Sequence, residues 1–307
     1  AIVSAGGWGA VMDHAASLPG YLSMTNSYVV EGNTSEPFGF FDIITTLSWG
    51  LGYFGMPHIL LRFMAIEDEN KLSLSRRVGT GWVMVAMSLA VIIGMAGLIM
   101  SDRGLIPNLQ GAGSETVIVE IGNYLSTFGP LATIMTGIII SGILASTMST
   151  ASSQLLAATS SVSQDILQDT FNIKLRETQS MVLARLTVIA ISILGIFIAQ
   201  NPNSSIFGIV SFAWAGFGAS FGPAVILSLY WKRTTLKGVL VGMVAGGVTV
   251  FVWKYLIAPM GGVWAVYELM PAFLVGFVCI VVVSLLTPPP SKEITDEFDK
   301  VASGVKL

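Results

Sequence analysis

Trp49-Gly50-Leu51-Gly52-Tyr53-Phe54-Gly55-Met56-Pro57-His58 lies inside an apolar run, residues 40–61, of the length a helix needs to cross a bilayer. Gly50, Gly52 and Gly55 weaken a helix interior. Pro57 has no backbone N–H and its ring clashes with the turn before it. The spacing therefore predicts a helix that breaks at membrane depth. Irregular backbone is tolerated there only where protein buries it or where it lines a wet cavity. Trp49, Tyr53 and Pro57 are four apart, so they share a face wherever helicity persists. A broken membrane helix with aromatic side chains is a candidate solute site, with Gly50, Gly52 and Gly55 as hinge points. The alternative is structural: the glycines permit tight packing and the aromatics anchor the helix at an interface.

Composition places this segment in an integral membrane protein. Of 307 residues, 53% are hydrophobic and only 11% are charged, against roughly a quarter charged in a soluble domain. A net charge of −3 argues against a nucleic-acid partner. Cys279 is the single cysteine, which excludes a disulfide framework and a cysteine metal site. His14 and His58 are too far apart in sequence to read as a ligand pair. Spanning length is reached at residues 40–61, 81–100, 130–162, 181–199, 206–231 and 236–257, with a further run from about 263 to 286. The expected fold is all-α, with about seven complete transmembrane helices in a lipid bilayer. The third run exceeds one crossing, so it tilts or extends into the cytoplasm. Residues 1–7 read as the end of a truncated earlier helix; the chain opens on Ala1, with no cleavable signal before the first run.

Basic residues set the orientation. Of fifteen Lys and Arg, only Arg103 and Lys254 fall on one side when the loops are numbered alternately. Residues 8–39 are then an extracytoplasmic loop, and residues 101–128 are also outside, with a short helix over 115–127. The tail, residues 288–307, is cytoplasmic, and its polar sequence after three prolines suggests poor order.

A second motif stands in the third run. Ser146, Ser149, Thr150 and Ser153 are spaced i, i+3, i+4, i+7 and share one helical face. Hydroxyl and carbonyl oxygens are hard donors, and without a carboxylate the face suits a monovalent cation such as sodium better than a divalent one. The packing reading is equally available. Small residues line contacts between membrane helices, and Ser and Thr return their hydroxyls to the carbonyl four residues back.

Other candidates carry less. His58 reads as a buried hydrogen-bonded histidine or, less readily, as a proton relay. Asp42 faces water or caps its helix. In Phe212-Ala213-Trp214-Ala215-Gly216-Phe217-Gly218-Ala219-Ser220-Phe221-Gly222-Pro223 the small residues suggest close packing, and Gly222-Pro223 suggests a hinge or gate. Asn33-Thr34-Ser35 and Asn203-Ser204-Ser205 fit a glycosylation pattern that short sequences also meet by chance.

Three of these stretches carry a family resemblance. Trp49 to His58, continued by Arg62-Phe63-Met64-Ala65, resembles the sodium/solute symporter family in its sodium/proline branch. Met148-Ser149-Thr150 and Ser153-Gln154-Leu155-Leu156 resemble the family's sodium-site helix, and Trp214-Ala215-Gly216-Phe217-Gly218 a later segment of the same branch. The matches run in one order over nearly the whole chain.

The resemblance implies a transporter of two inverted five-helix repeats. On that pattern residues 40–231 are the second repeat, residues 232–287 hold two added helices, and the N-terminal repeat is missing. It implies side-chain oxygens of Ser149 and Thr150 and the backbone carbonyl of Ser146 as sodium ligands. It also implies Trp49, Tyr53 and Pro57 as lining for a proline-like solute. Met56 departs from the family's glutamine and removes a polar group beside the pocket. The implied function is sodium-coupled symport of proline or a related amino acid in a prokaryotic plasma membrane, with this fragment inactive alone. It is not an enzyme. A symporter for another solute (a carboxylate, vitamin or sugar) and a transporter-like sensory module are the alternatives.

Overall fold

Apolar runs that must satisfy their own backbone wind into helices, and apart from one short two-stranded sheet the described chain is helical or in loops. The computed structural model describes residues 1–30, 32–173, 176–200 and 205–303. Lys174, Asn203, Ser204 and Lys306, which entered the sequence reading, lie outside the described residues. In chain order the elements are α1 (Gly7–Ser17), β1 (Asn26–Val29), β2 (Thr34–Pro37), α2 (Phe40–Gly52), α3 (Pro57–Met64), α4 (Leu72–Asp102) and α5 (Val117–Ser126). They continue with α6 (Pro130–Ser160), α7 (Glu177–Ala199), α8 (Ile206–Tyr230), α9 (Leu236–Val252), α10 (Leu269–Leu286) and α11 (Lys292–Ala302).

Among the described residues six helices are long and apolar enough to cross a membrane: Glu69–Asp102, Pro130–Gln168, Thr178–Ala199, Ile206–Tyr230, Leu236–Met260 and Leu269–Leu286. The count is six rather than the expected seven because residues 40–61 are split between α2 and α3, each shorter than a crossing. The third run is long, as expected, and α6 continues as wider π-helical turns over Ser161–Thr170.

The chain divides into two compact units. The first comprises Ala1–Leu22, Val30–Thr34 and Ile66–Ile206. Its core joins α1, the end of α4 and α5 through Val11, Ala15, Met95, Ile99, Met100 and Ile121. The region read as loop thus holds a helix, α1, anchored further by His14 Nε2 2.9 Å from Asp102 Oδ2. Helix α5 meets α6 at Gly122, whose carbonyl accepts from Thr136 Oγ1 at 3.1 Å. A Cβ at Gly122 would come within 2.9 Å of the Thr136 methyl.

The second unit comprises Ser23–Val29, Ser35–Ala65 and Phe207–Leu307. Ala215 and Ala219 of α8 are fully buried against Val250 of α9 and Leu269, Ala272 and Phe273 of α10. Gly238, Gly242 and Gly246 form a stripe on α9. A Cβ at each would run into the Ser284 hydroxyl, the Ile280 side chain and the Ala219 carbonyl respectively. Small residues at this spacing let two membrane helices approach at backbone distance. Pro223 sits inside α8, which continues unbroken. It offers no N–H to the Ala219 carbonyl four residues back, and that oxygen sits where α8 meets the glycines of α9 and α10.

The tail is helical where its sequence suggested poor order. The described part of residues 288–307 contains α11, started by Ser291, whose side chain accepts from the Ile294 N–H. Glu293 in its first turn and Lys300 in its last suit the helix dipole, and Lys232 pairs with Asp299. The prolines precede this helix and do not interrupt it.

Candidate functional site

Helix α2 starts with a cap, as expected of Asp42, whose carboxylate accepts the Gly39 N–H at 2.8 Å. It runs to Gly52, gives way to a 3-10 turn over Tyr53–Gly55, and passes through extended backbone at Met56 (φ −87°, ψ 110°). Pro57 then opens α3, with the N–H groups of Ile59 and Leu60 donating to the Met56 carbonyl at 3.0 and 3.1 Å. The break has a local cause. A proline forces the residue before it out of the helical region, and it fits the first position of a new helix.

The glycines serve proximity rather than unusual torsions. Gly52 has ordinary helical angles (φ −64°, ψ −30°), and the indole of Trp214 fills the space a Cβ would need. At Gly55 a Cβ would collide with the Phe217 carbonyl and lie 2.7 Å from Gly218 Cα. At Gly222 it would lie 2.6 Å from Phe273 Cε2. Only Gly50 of the four hinge candidates has open space there.

The Trp49 ring is stacked against three others, at 5.4 Å from Phe207, 5.4 Å from Trp214 and 6.0 Å from Tyr267. Trp214 Nε1–H donates to the Trp49 carbonyl at 3.0 Å. Tyr53 meets Trp214 edge-on at 4.8 Å and stays half exposed, at 50%. Tyr267 is fixed by its hydroxyl, which donates to the Ser211 carbonyl at 2.5 Å, and by its N–H, which donates to Thr45 Oγ1 at 3.3 Å. Trp49 and Tyr53 are thus gathered around Trp214. Pro57 stands beyond the break and is exposed, and Met56 is buried. His58 is half-buried and makes no side-chain hydrogen bond among the described residues, so the hydrogen-bonded histidine expected there is not found. Phe207 and Tyr267 were missed. Aromatic residues at the ends of distant runs give no periodic signal that ties them to Trp49.

Ser146, Ser149 and Thr150 lie on uninterrupted α6 and are all exposed. Thr147 Oγ1 donates to the Ile143 carbonyl and Ser153 Oγ to the Ser149 carbonyl, both at 3.0 Å. The back-bonding reading therefore holds for Thr147 and Ser153. Among the described residues Ser146, Ser149 and Thr150 have no such side-chain bond, and neither does Ser152. Also among the described residues, no three His, Cys, Asp or Glu side chains group as a transition-metal or divalent-ion site would require. Oxygen donors without carboxylates remain the chemistry this face offers. The hydroxyl face and the aromatic cluster belong to different compact units.

Comparison with known proteins adds a family. The model of the sodium:solute symporter family matches residues 1–246. The high-affinity proline transporter PutP of Bacillus subtilis (strain 168) is 43% identical over 258 residues, covering 84% of this chain and 52% of that protein. A sodium/proline symporter of Haemophilus influenzae is 38% identical over 274 residues, 89% of this chain and 53% of the relative. One from Staphylococcus aureus (strain USA300 / TCH1516) is 36% identical over 314 aligned residues, 100% of this chain and 57% of the relative. No solved structure matches the chain. The chain spans about half the length of the curated relatives it matches. With six spanning helices, a broken aromatic helix and most of its residues matched by one family model, the chain belongs to the sodium:solute symporter family.

Proposed function

We propose that this chain is the C-terminal part of a sodium-coupled symporter for proline or a closely related amino acid, set in a prokaryotic plasma membrane with its C-terminus cytoplasmic. The observation that carries this is the break between α2 and α3, with Trp49 and Tyr53 beside it, in a chain of this family. Three relatives bearing proline in their names support the solute class.

In this account sodium is cargo. The side-chain oxygens of Ser149 and Thr150 and the carbonyl of Ser146 hold it against a helix of a first repeat that lies outside this chain. Residues 40–231 form the second inverted repeat, residues 232–287 contribute two added helices, and the fragment alone does not transport. Trp49, Tyr53 and Pro57 present apolar surface to the solute's ring. Gly50, Gly52, Gly55 and Gly222 lie where helix halves move against their neighbours. Coupling requires the ion to bind one conformation more tightly than the other. A membrane potential then supplies about 2.3 kcal/mol per charge per 100 mV.

The test is uptake of labelled proline into proteoliposomes holding a full-length transporter that carries this sequence. Uptake driven by an inward sodium gradient, and absent with potassium in its place, is expected. Equal uptake under both gradients would contradict sodium coupling. One observation favours a second reading: the buried Met56, where the family resemblance leads one to expect glutamine. A solute other than proline would reveal itself by outcompeting proline within a panel of amino acids, carboxylates and sugars.

A further inference from the structure

Trp214 touches Trp49, Gly52 and Tyr53, the residues that lead into the break. The Trp49 carbonyl belongs to the last turn of α2, where intrahelical donors run out. The Trp214 indole N–H supplies the donor at 3.0 Å. The same ring stacks on Trp49 with 12° between planes and meets Tyr53 at 85°. It also rests on Gly52 so closely that no Cβ fits beneath it.

We infer that Trp214 is a positioning residue: it fixes the end of α2 and sets the orientation of the Trp49 and Tyr53 side chains. A ring that only filled volume would need no donor aimed at a carbonyl in the last turn of α2. The fully buried side chains of α8 are instead Ala215, Ala219 and Pro223. Trp214 itself is half-buried, at the edge of that core. The inference rests on the reading of Trp49 and Tyr53 as solute-contacting residues, and the test separates the two.

The variant is Trp214→Phe in a full-length transporter carrying this chain, with Trp49→Ala beside it. Phenylalanine keeps a ring and removes the N–H. Loss of one such hydrogen bond corresponds to about a two- to tenfold rise in half-saturating proline, with the maximal rate retained. Hydrogen exchange in a peptide covering residues 49–57 should accelerate, while one covering residues 236–252 should not. Should Trp214→Phe fail to reach the membrane, Gly52→Ala displaces the indole from below and should give the same exchange signature. Unchanged proline dependence together with unchanged exchange would overturn the role. If Trp49→Ala leaves proline dependence untouched, the solute-site reading fails, and the exchange result still decides whether Trp214 holds the break.

Discussion

The break after α2 is wrapped in rings, and the hydroxyl face of α6 is bare. Trp49 has three aromatic neighbours and a tied carbonyl. Ser146, Ser149 and Thr150 are exposed on a helix whose apolar window is only 6% buried, against 39% for α8. Both regions look alike in sequence, as small and polar residues interrupting an apolar run. They differ in what supplies their neighbours. The aromatic segment is shaped by contacts within its own unit, so substitutions there act on folding and on geometry together. The hydroxyl face has few such contacts, so substitutions there should act on ligand binding with little effect on stability.

That contrast can be broken at the glycines. Gly55→Val puts a branched side chain against the Phe217 carbonyl, which cannot step aside as a flexible side chain could. It should cost about 3 kcal/mol, the upper end for overpacking, read as a lower unfolding midpoint in detergent. Gly142→Ala on α6 meets open space. It should leave that midpoint unchanged or raise it, with a gain in stability of up to about 1 kcal/mol through helix propensity. Equal losses at the two positions would erase the distinction. A smaller effect sharpens it within α6: Thr147 already returns its hydroxyl to the Ile143 carbonyl. Thr147→Ala should change stability by less than about 0.5 kcal/mol and leave sodium dependence as it was in transport assays.

The sequence made the break legible because proline chemistry is local: Pro57 acts on Met56 and on the turn before it. Why Gly52 and Gly55 are glycine was not legible as geometry. Both keep close to Trp214, Phe217 and Gly218, about 160 residues away in sequence; Trp49 and Trp214, which meet here, are 165 residues apart. The hydroxyl face was legible from spacing alone, since four residues at i, i+3, i+4 and i+7 need only a helix. The α9 glycine stripe escaped notice because its meaning lies in α10 and in the Ala219 carbonyl. Helix α11 was hidden by three prolines that suggested disorder when they only precede a capped start.

As proposed, an ion on α6 and a solute at the α2–α3 break are held by separate residues and coupled. The most direct measurement is sodium and proline half-saturation for uptake in Ser149→Ala, Thr150→Ala and Trp49→Ala variants of a full-length transporter carrying this chain. Each α6 variant is expected to raise half-saturating sodium by about tenfold or more, equivalent to about 1.4 kcal/mol, whereas Trp49→Ala weakens proline more than sodium. Unchanged sodium dependence in both α6 variants would contradict it.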